Sequence, residues 1–256
     1  MLRPTTRRLL TAAALATVLP LTASVSGKVS GKVSGKVSGK VPGTSRRAQY
    51  SASTRRALVD VAQELFAEHG YAATSLDAIV AGAEVTKGAL YHHYSGKQAL
   101  FEAVFEKVES AGAAVVHEEL DRHSDPWEKA IAGLRAFLDV VRQPAYSRIV
   151  VQDGPSVLGH ERFREQEQRS TFANVVDIVR AVLGAGDWDV DPEMERTFAR
   201  IFFGAMSSAG AAVSTAEDAD AEAARVEIAI GFILSGLRAL SDQGAQLPEP
   251  PETPTS

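Results

Sequence analysis

The chain of 256 residues contains no cysteine. Disulfides, thiolate catalysis and cysteine metal sites are therefore excluded, and a reducing cytoplasm is permitted as its place of work. Acidic residues are missing only locally: eleven Lys or Arg and no Asp or Glu precede Asp60, whereas thirteen basic and twenty-five acidic residues follow from Val108 onward. The net charge of -5 hides this gradient. A basic leading end on an acidic body suits a protein that approaches a polyanion by one end. No stretch after Tyr50 reads as a strand, so the expected class is all-α. A nucleophile elbow, a phosphate loop and an ordered acid–base pair are absent as well. Ser156, His160 and Glu161 are merely close in one turn, so no enzyme is expected. His92 and His93 are adjacent on a helix, point about 100° apart and lack a third ligand, so neither a metal nor any other cofactor is expected.

Long hydrophobic runs are scarce. Arg3, Arg7 and Arg8 precede an apolar run from Leu9 to Leu19, which Pro20 interrupts. This is the outline of a secretory signal peptide, too short to span a bilayer. Taken as a true leader it implies an exported helical binding protein, the alternative to a cytoplasmic one. A later start is a third reading, because no Met lies between Met1 and Met194 and a valine codon within the following repeat can serve. From Ser26 to Val41 the chain repeats Ser-Gly-Lys-Val four times, a low-complexity tether without the apolar mass to fold.

The positional information is concentrated from Thr74 to Leu100, TSLDAIVAGAEVTKGALYHHYSGKQAL. Ahead of it Leu58, Val61, Ala62, Leu65 and Phe66 mark an amphipathic helix from Ser53 that ends at His69 and Gly70. Thr74 reads as the N-cap of the next, with Asp77 at the third helical position and Leu76, Ile79 and Val80 on one face. Thr86 caps a third, with Val85 stapled onto Leu90. Ser95 and Gln98 read as a capping box for a fourth, and Lys97 in its first turn opposes the macrodipole, as a cation beside a phosphate would. The pattern is a helix-turn-helix. Its second helix can approach a major groove closely only if the first turn is small and donor-rich, as Thr86, Lys87, Gly88 and Ala89 are. Tyr91, His92 and Lys97 are expected at flanking phosphates, with Thr74 and Ser75 completing the DNA-facing set. Arg46 and Arg47, in a polar segment, are expected either as an arm or as solvated linker. Tyr94 fits a core ring as well as a contact.

From about Thr54 to Phe105 the sequence resembles the DNA-binding domain of the tetracycline-repressor (TetR) family of regulators. Thr74, Ile79, Ala83, Val85, Thr86, Gly88, Leu90, Tyr91, Tyr94, Lys97 and Leu100 match the family pattern in order and without gaps. Val80 departs mildly. Glu84 replaces the usual turn glycine, at a position expected to need positive φ, so strain of roughly 1 to 2 kcal/mol is expected there.

The resemblance implies a three-helix DNA-binding domain followed by a larger helical ligand-binding and dimerisation bundle, about nine helices in all. The expected domains are a leader-like run and tether over 1–50, the helix-turn-helix domain over 51–100, the ligand and dimer domain over 101–243 and a Pro-rich tail over 244–256. The helix opened at Ser95 is expected to run to about Arg122 as a lever. Asp125 with Pro126, and Asp191 with Pro192, open two more by cap and first-turn proline. A single long helix is expected from Glu161 to Leu183, after a turn-rich connection from Asp153 to Gly159. The last two helices are apolar around more than one stripe. Paired across a twofold axis through Phe203, Met206, Gly210, Ile230, Ile233, Leu234 and Leu237, they would make a four-helix homodimer interface. The resemblance further implies a small-molecule inducer of unknown identity. Phe137, Tyr146, Phe163, Phe172, Phe198 and Phe202 are candidates for its wall, and Arg148, Asp153, His160 and Arg169 for polar anchors. Double-stranded DNA with a palindromic operator is the expected partner, and repression the expected sense, as in most of the family.

Overall fold

A computed structural model describes residues 46–247 apart from Ser170, Asp187 and Asp189, and of residues 46, 47 and 167–169 the backbone alone. The leader-like run, the Ser-Gly-Lys-Val tether, most of the Pro-rich tail and the side chains of Arg46, Arg47 and Arg169 lie outside the described residues. Helices account for every regular element among them. They are α1 (Arg46–Ala73), α2 (Leu76–Gly82), α3 (Lys87–His93), α4 (Lys97–Asp121), α5 (Pro126–Val141), a π-helix (Tyr146–Asp153), α6 (Gly154–Leu158), α7 (His160–Arg169), α8 (Thr171–Ala185), α9 (Pro192–Thr215) and α10 (Ala219–Asp242). No described helix is long and apolar enough to cross a membrane.

Caps set most of the boundaries. The Thr86 hydroxyl accepts from Ala89 N at 3.1 Å and opens α3. One Asp125 carboxylate oxygen accepts from Trp127 N and Glu128 N, Asp191 opens α9 in the same way, and Asp218 opens α10 by accepting from Ala221 N, each cap satisfying donors that a helix start leaves orphaned. Gly70, at φ 77, ends the straight part of α1.

Several boundaries differ from expectation. α1 begins at Arg46, so the segment read as an arm or linker is helical backbone. Ser75, not Thr74, caps α2, accepting from Ala78 N. No capping box opens α4: its N-cap is Gly96, without a side-chain bond, and Gln98 Nε2 donates instead to Val157 O. The connection read as turn-rich is the π-helix and α6, Pro155 sitting in the first turn where its missing N–H costs nothing. The helix expected over Glu161 to Leu183 appears as α7 and α8 on either side of undescribed Ser170.

Leu58, Ala62 and Phe66 from α1 close over Ile79, Leu90 and the first turns of α4, all fully buried or nearly so. Phe66 and Tyr71 both meet Phe101 edge-on, at ring-centroid distances of 5.2 and 5.1 Å. The same apolar cluster runs on through Val104, Phe105 and Val116 to Leu134, Val141, Tyr146 and Ile149. The domain boundary expected near residue 100 therefore falls inside α4, a packed helix, and not in a linker. A second cluster, built on Trp127, Val179, Val182, Trp188 and Leu234, joins α5, α8, α9 and α10.

Candidate functional site

The helix-turn-helix displays its second helix. Thr86, Lys87, Gly88 and His92 are exposed, Ala89 is half-buried, and Tyr91 is 58% exposed although its neighbour Leu90 is a core residue. Only Leu90 is buried along α3, and Val85, the residue before its cap, packs into the same cluster, as a staple should. Glu84 is left-handed at φ 53, the one non-glycine residue with positive φ among those described. Its strain sits in the turn that sets the angle between α2 and α3, with Val85 N donating to Val80 O across it. Lys87 Nζ lies 2.6 Å from the Asp77 carboxylate on α2, which raises the lysine above its ordinary range and keeps it charged. Both groups are exposed, so the pair is weak and a phosphate or base edge can displace it.

Other residues expected at DNA are engaged inside the protein. Thr74 is 4% exposed, and its single hydroxyl proton is shared between Gly70 O at 2.8 Å and Leu65 O at 3.1 Å. It closes the end of α1 and is removed from the DNA-facing set. Lys97 Nζ donates to Tyr71 O at 2.7 Å and Thr74 O at 2.8 Å and lies over the Tyr71 ring at 4.2 Å. Two of its three donors thus terminate α1 from α4, which explains a cation in that first turn without any phosphate. Tyr94 is a core ring whose hydroxyl accepts from Arg55 Nε at 3.2 Å. Ser75 stays exposed, with its hydroxyl engaged as the α2 cap.

Arg148 and Asp153 likewise depart from their expected place in a ligand pocket. They stand at opposite ends of the π-helix turn that meets α1. Asp153 Oδ2 accepts from Tyr71 N at 2.8 Å and lies 3.4 Å from Arg148 Nε, while the Arg148 guanidinium covers Gly70 so closely that a Cβ there would overlap it. Charge and backbone donor together fasten the end of α1 to the body. His160, at the start of α7, is exposed and does not border the cavity.

The body holds a cavity of about 400 Å³, partly open to solvent. Phe137, Tyr146, Phe163, Phe198 and Phe202 border it, whereas Phe172 packs edge-on against Phe203 at 5.4 Å outside the lining. Residues assigned to a dimer interface line it too: Phe203, Met206, Gly210, Ile230, Leu234 and Leu237 face inward, and Gly210 lets Phe137 approach α9. Of that set only Ile233 is exposed; the outer surface of α9 and α10 shows Ile201, Ile228 at 74% and Phe232 at 81% instead. Sequence reasoning missed the polar part of the lining. Glu109 is 3% exposed and accepts from Thr171 Oγ1 at 2.6 Å, and Asn174 Nδ2 donates to Ala113 O at 3.0 Å. The signal was present: Glu109 interrupts the apolar face Leu100, Phe101, Val104, Phe105, Val108 of α4, and a charge on a core-facing stripe calls for a reason.

A braced head offering one small, exposed helix start, continuous with a helical body around an apolar cavity, is the architecture of a helix-turn-helix regulator. Residues 58–104 match the bacterial regulatory proteins of the tetR family, and residues 127–237 the tetracyclin repressor-like C-terminal domain. The uncharacterized HTH-type transcriptional regulator TtgW of Pseudomonas putida is 32% identical over 135 residues, 48% of this chain and 93% of that one. The regulator SrpR of the same species is 26% identical over 204 residues, 75% of this chain and 89% of the relative. Two other curated relatives are matched over only 33% and 54% of their lengths. The crystal structure of a TetR-family transcriptional regulator from Pectobacterium atrosepticum aligns with a TM-score of 0.65 at 28% identity, covering 74% of this chain and 96% of that one. The chain belongs to the TetR family.

Proposed function

We propose that the protein is a homodimeric transcriptional repressor that binds a near-palindromic operator and leaves it when a small molecule fills the cavity. The observation that carries this is the start of α3. Its exposed Thr86, Lys87 and Gly88 are the small, donor-bearing surface a major groove admits, while Thr74, Tyr94 and Lys97 around it are tied into the head. Two such helices about 34 to 36 Å apart enter successive grooves, and the exposed apolar face of α9 and α10, with Ile201, Ile228, Phe232 and Ile233, is the surface that pairs the chains. The site of work on this reading is the cytoplasm.

The switch follows from the π-helix. Tyr146, Val150 and Val151 border the cavity, and Asp153 of the same element holds Tyr71 N at the end of α1. A ligand that prefers a different setting of this element favours heads whose spacing no longer fits the duplex. Roughly 3 to 5 kcal/mol of differential affinity takes the population from mostly bound to mostly released.

Genomic fragments retained by the full chain and sequenced should share a near-palindrome, and Ala89→Asp should abolish their enrichment; retention without sequence preference in the native chain overturns the regulator reading. Phe232→Asp should give monomers by light scattering with operator affinity reduced at least about tenfold. An unchanged dimer moves the interface elsewhere.

A further inference from the structure

The wall of the cavity is helical except at one end. Of the described residues that border it, only Trp188, Ala245, Gln246 and Leu247 belong to no helix. The last three form a strap that follows α10. Gly244, at φ 66, reverses the chain in a left-handed C-cap, with Gly244 N donating to Ser241 O at 2.9 Å and Ala245 N to Leu240 O at 3.0 Å. The reversed chain lays Leu247, half-buried, on the second apolar cluster. Among the described residues one hydrogen bond reaches the strap from outside α10: Trp188 Nε1 donates to Ala245 O at 2.7 Å. Trp188 is itself seated, its indole lying so close over Gly186 that a Cβ there would come within 2.4 Å of the ring.

Moving a lining helix aside exposes the apolar face it shares with its neighbours, whereas lifting the strap breaks that one hydrogen bond and uncovers one leucine. Gly244 is a free pivot for the motion, because glycine crosses φ at little cost and nothing stands within 4 Å of where its side chain would be. Gln246 is exposed and also borders the cavity, so at the strap one residue parts the interior from solvent. Resting on the reading of this cavity as the effector site, we infer that the strap of residues 245–247 is its door, hinged at Gly244 and latched by Trp188, and that the effector enters and leaves by lifting it. The latch sets the rate of exchange more than the affinity. Free and occupied chains both hold the Trp188 bond when shut and both lose it on opening, so weakening the bond speeds entry and exit by the same factor.

The probe is N-phenyl-1-naphthylamine, a neutral aromatic molecule whose emission rises on leaving water, mixed with the full chain in stopped flow. Trp188→Phe keeps a ring in the wall and removes the donor, whereas Gly186→Ala keeps the indole and pushes it off its seat. Each is expected to raise the association rate constant about five- to tenfold, as loss of one buried hydrogen bond would. In Gly186→Ala, which takes nothing from the wall, the dissociation rate constant rises by the same factor. Leu247→Asp unseats the strap without touching the latch and speeds association likewise. Partial unfolding lowers the amplitude of the signal and not its rate, and Leu247→Asp carries the test should the two latch variants fail to fold. Dissociation that quickens in Gly186→Ala while association stays native makes the strap a wall and not a door, and association unchanged in all three variants overturns the inference; either result leaves the effector site standing. No emission rise with the native chain overturns both.

Discussion

The head and the body of this protein use the same apolar residue types to opposite ends. In the head, Leu58, Ala62, Phe66, Ile79, Leu90 and Phe101 are buried together, and Thr74, Tyr94 and Lys97 have internal partners, while Gln63 Oε1 is buried without one among the described residues. In the body, large side chains surround a cavity of about 400 Å³, and Ile228 and Phe232 face outward. A surface that must match a duplex to within an ångström tolerates no slack. A ligand-driven switch, as proposed for the body, requires slack, because a close-packed interior has no second arrangement for a ligand to select.

The contrast is sharpened first by truncation. Phe66→Ala should cost about 3 to 5 kcal/mol in urea unfolding, and Phe202→Ala, whose ring already borders empty space, about half as much. Equal losses would erase the distinction between a filled head and an unfilled body. Next in size is Lys97→Met, which strips the charged donor from two backbone carbonyls, so that about 2 kcal/mol of stability is lost with the salt dependence of DNA binding unchanged. A fall of about one in the salt slope at unchanged stability would return Lys97 to the phosphates. The smallest effect is of opposite sign: Glu84→Gly relieves a left-handed residue and should raise stability by up to about 1 kcal/mol by thermal unfolding. A loss would mean that the Glu84 side chain does more for the turn than its backbone costs.

The head was legible in the sequence because its signals are local. The Thr86 cap, the Val85–Leu90 staple and the left-handed Glu84 each involve residues within four or five positions of one another, as do the Asp-Pro starts of α5 and α9, the part of the body that was equally legible. Where the reading slipped, a long side chain or a distant partner decided. Thr74 and Ser75 are both fit to cap a helix, and only the position of Leu65 and Gly70 settles that Thr74 turns inward. Lys97 reaches back across 26 residues to Tyr71. The all-round apolar character of α9 and α10 announces two covered faces but not which one the chain covers itself, so cavity residues were assigned to an interface. Glu109 and Thr171 are 62 positions apart, and no periodicity within either helix brings them together.

The junction at Gly70 also governs how this sequence can drift. A left-handed backbone and the overlying Arg148 guanidinium each forbid a side chain there on separate grounds. Heritable change in the seam between head and body must therefore begin on the π-helix: shortening residue 148 leaves a viable chain with a looser hinge, whereas enlarging residue 70 first demands that the arginine leave and still meets the dihedral penalty. A lineage can tune the stiffness of this regulator from one side of the seam only.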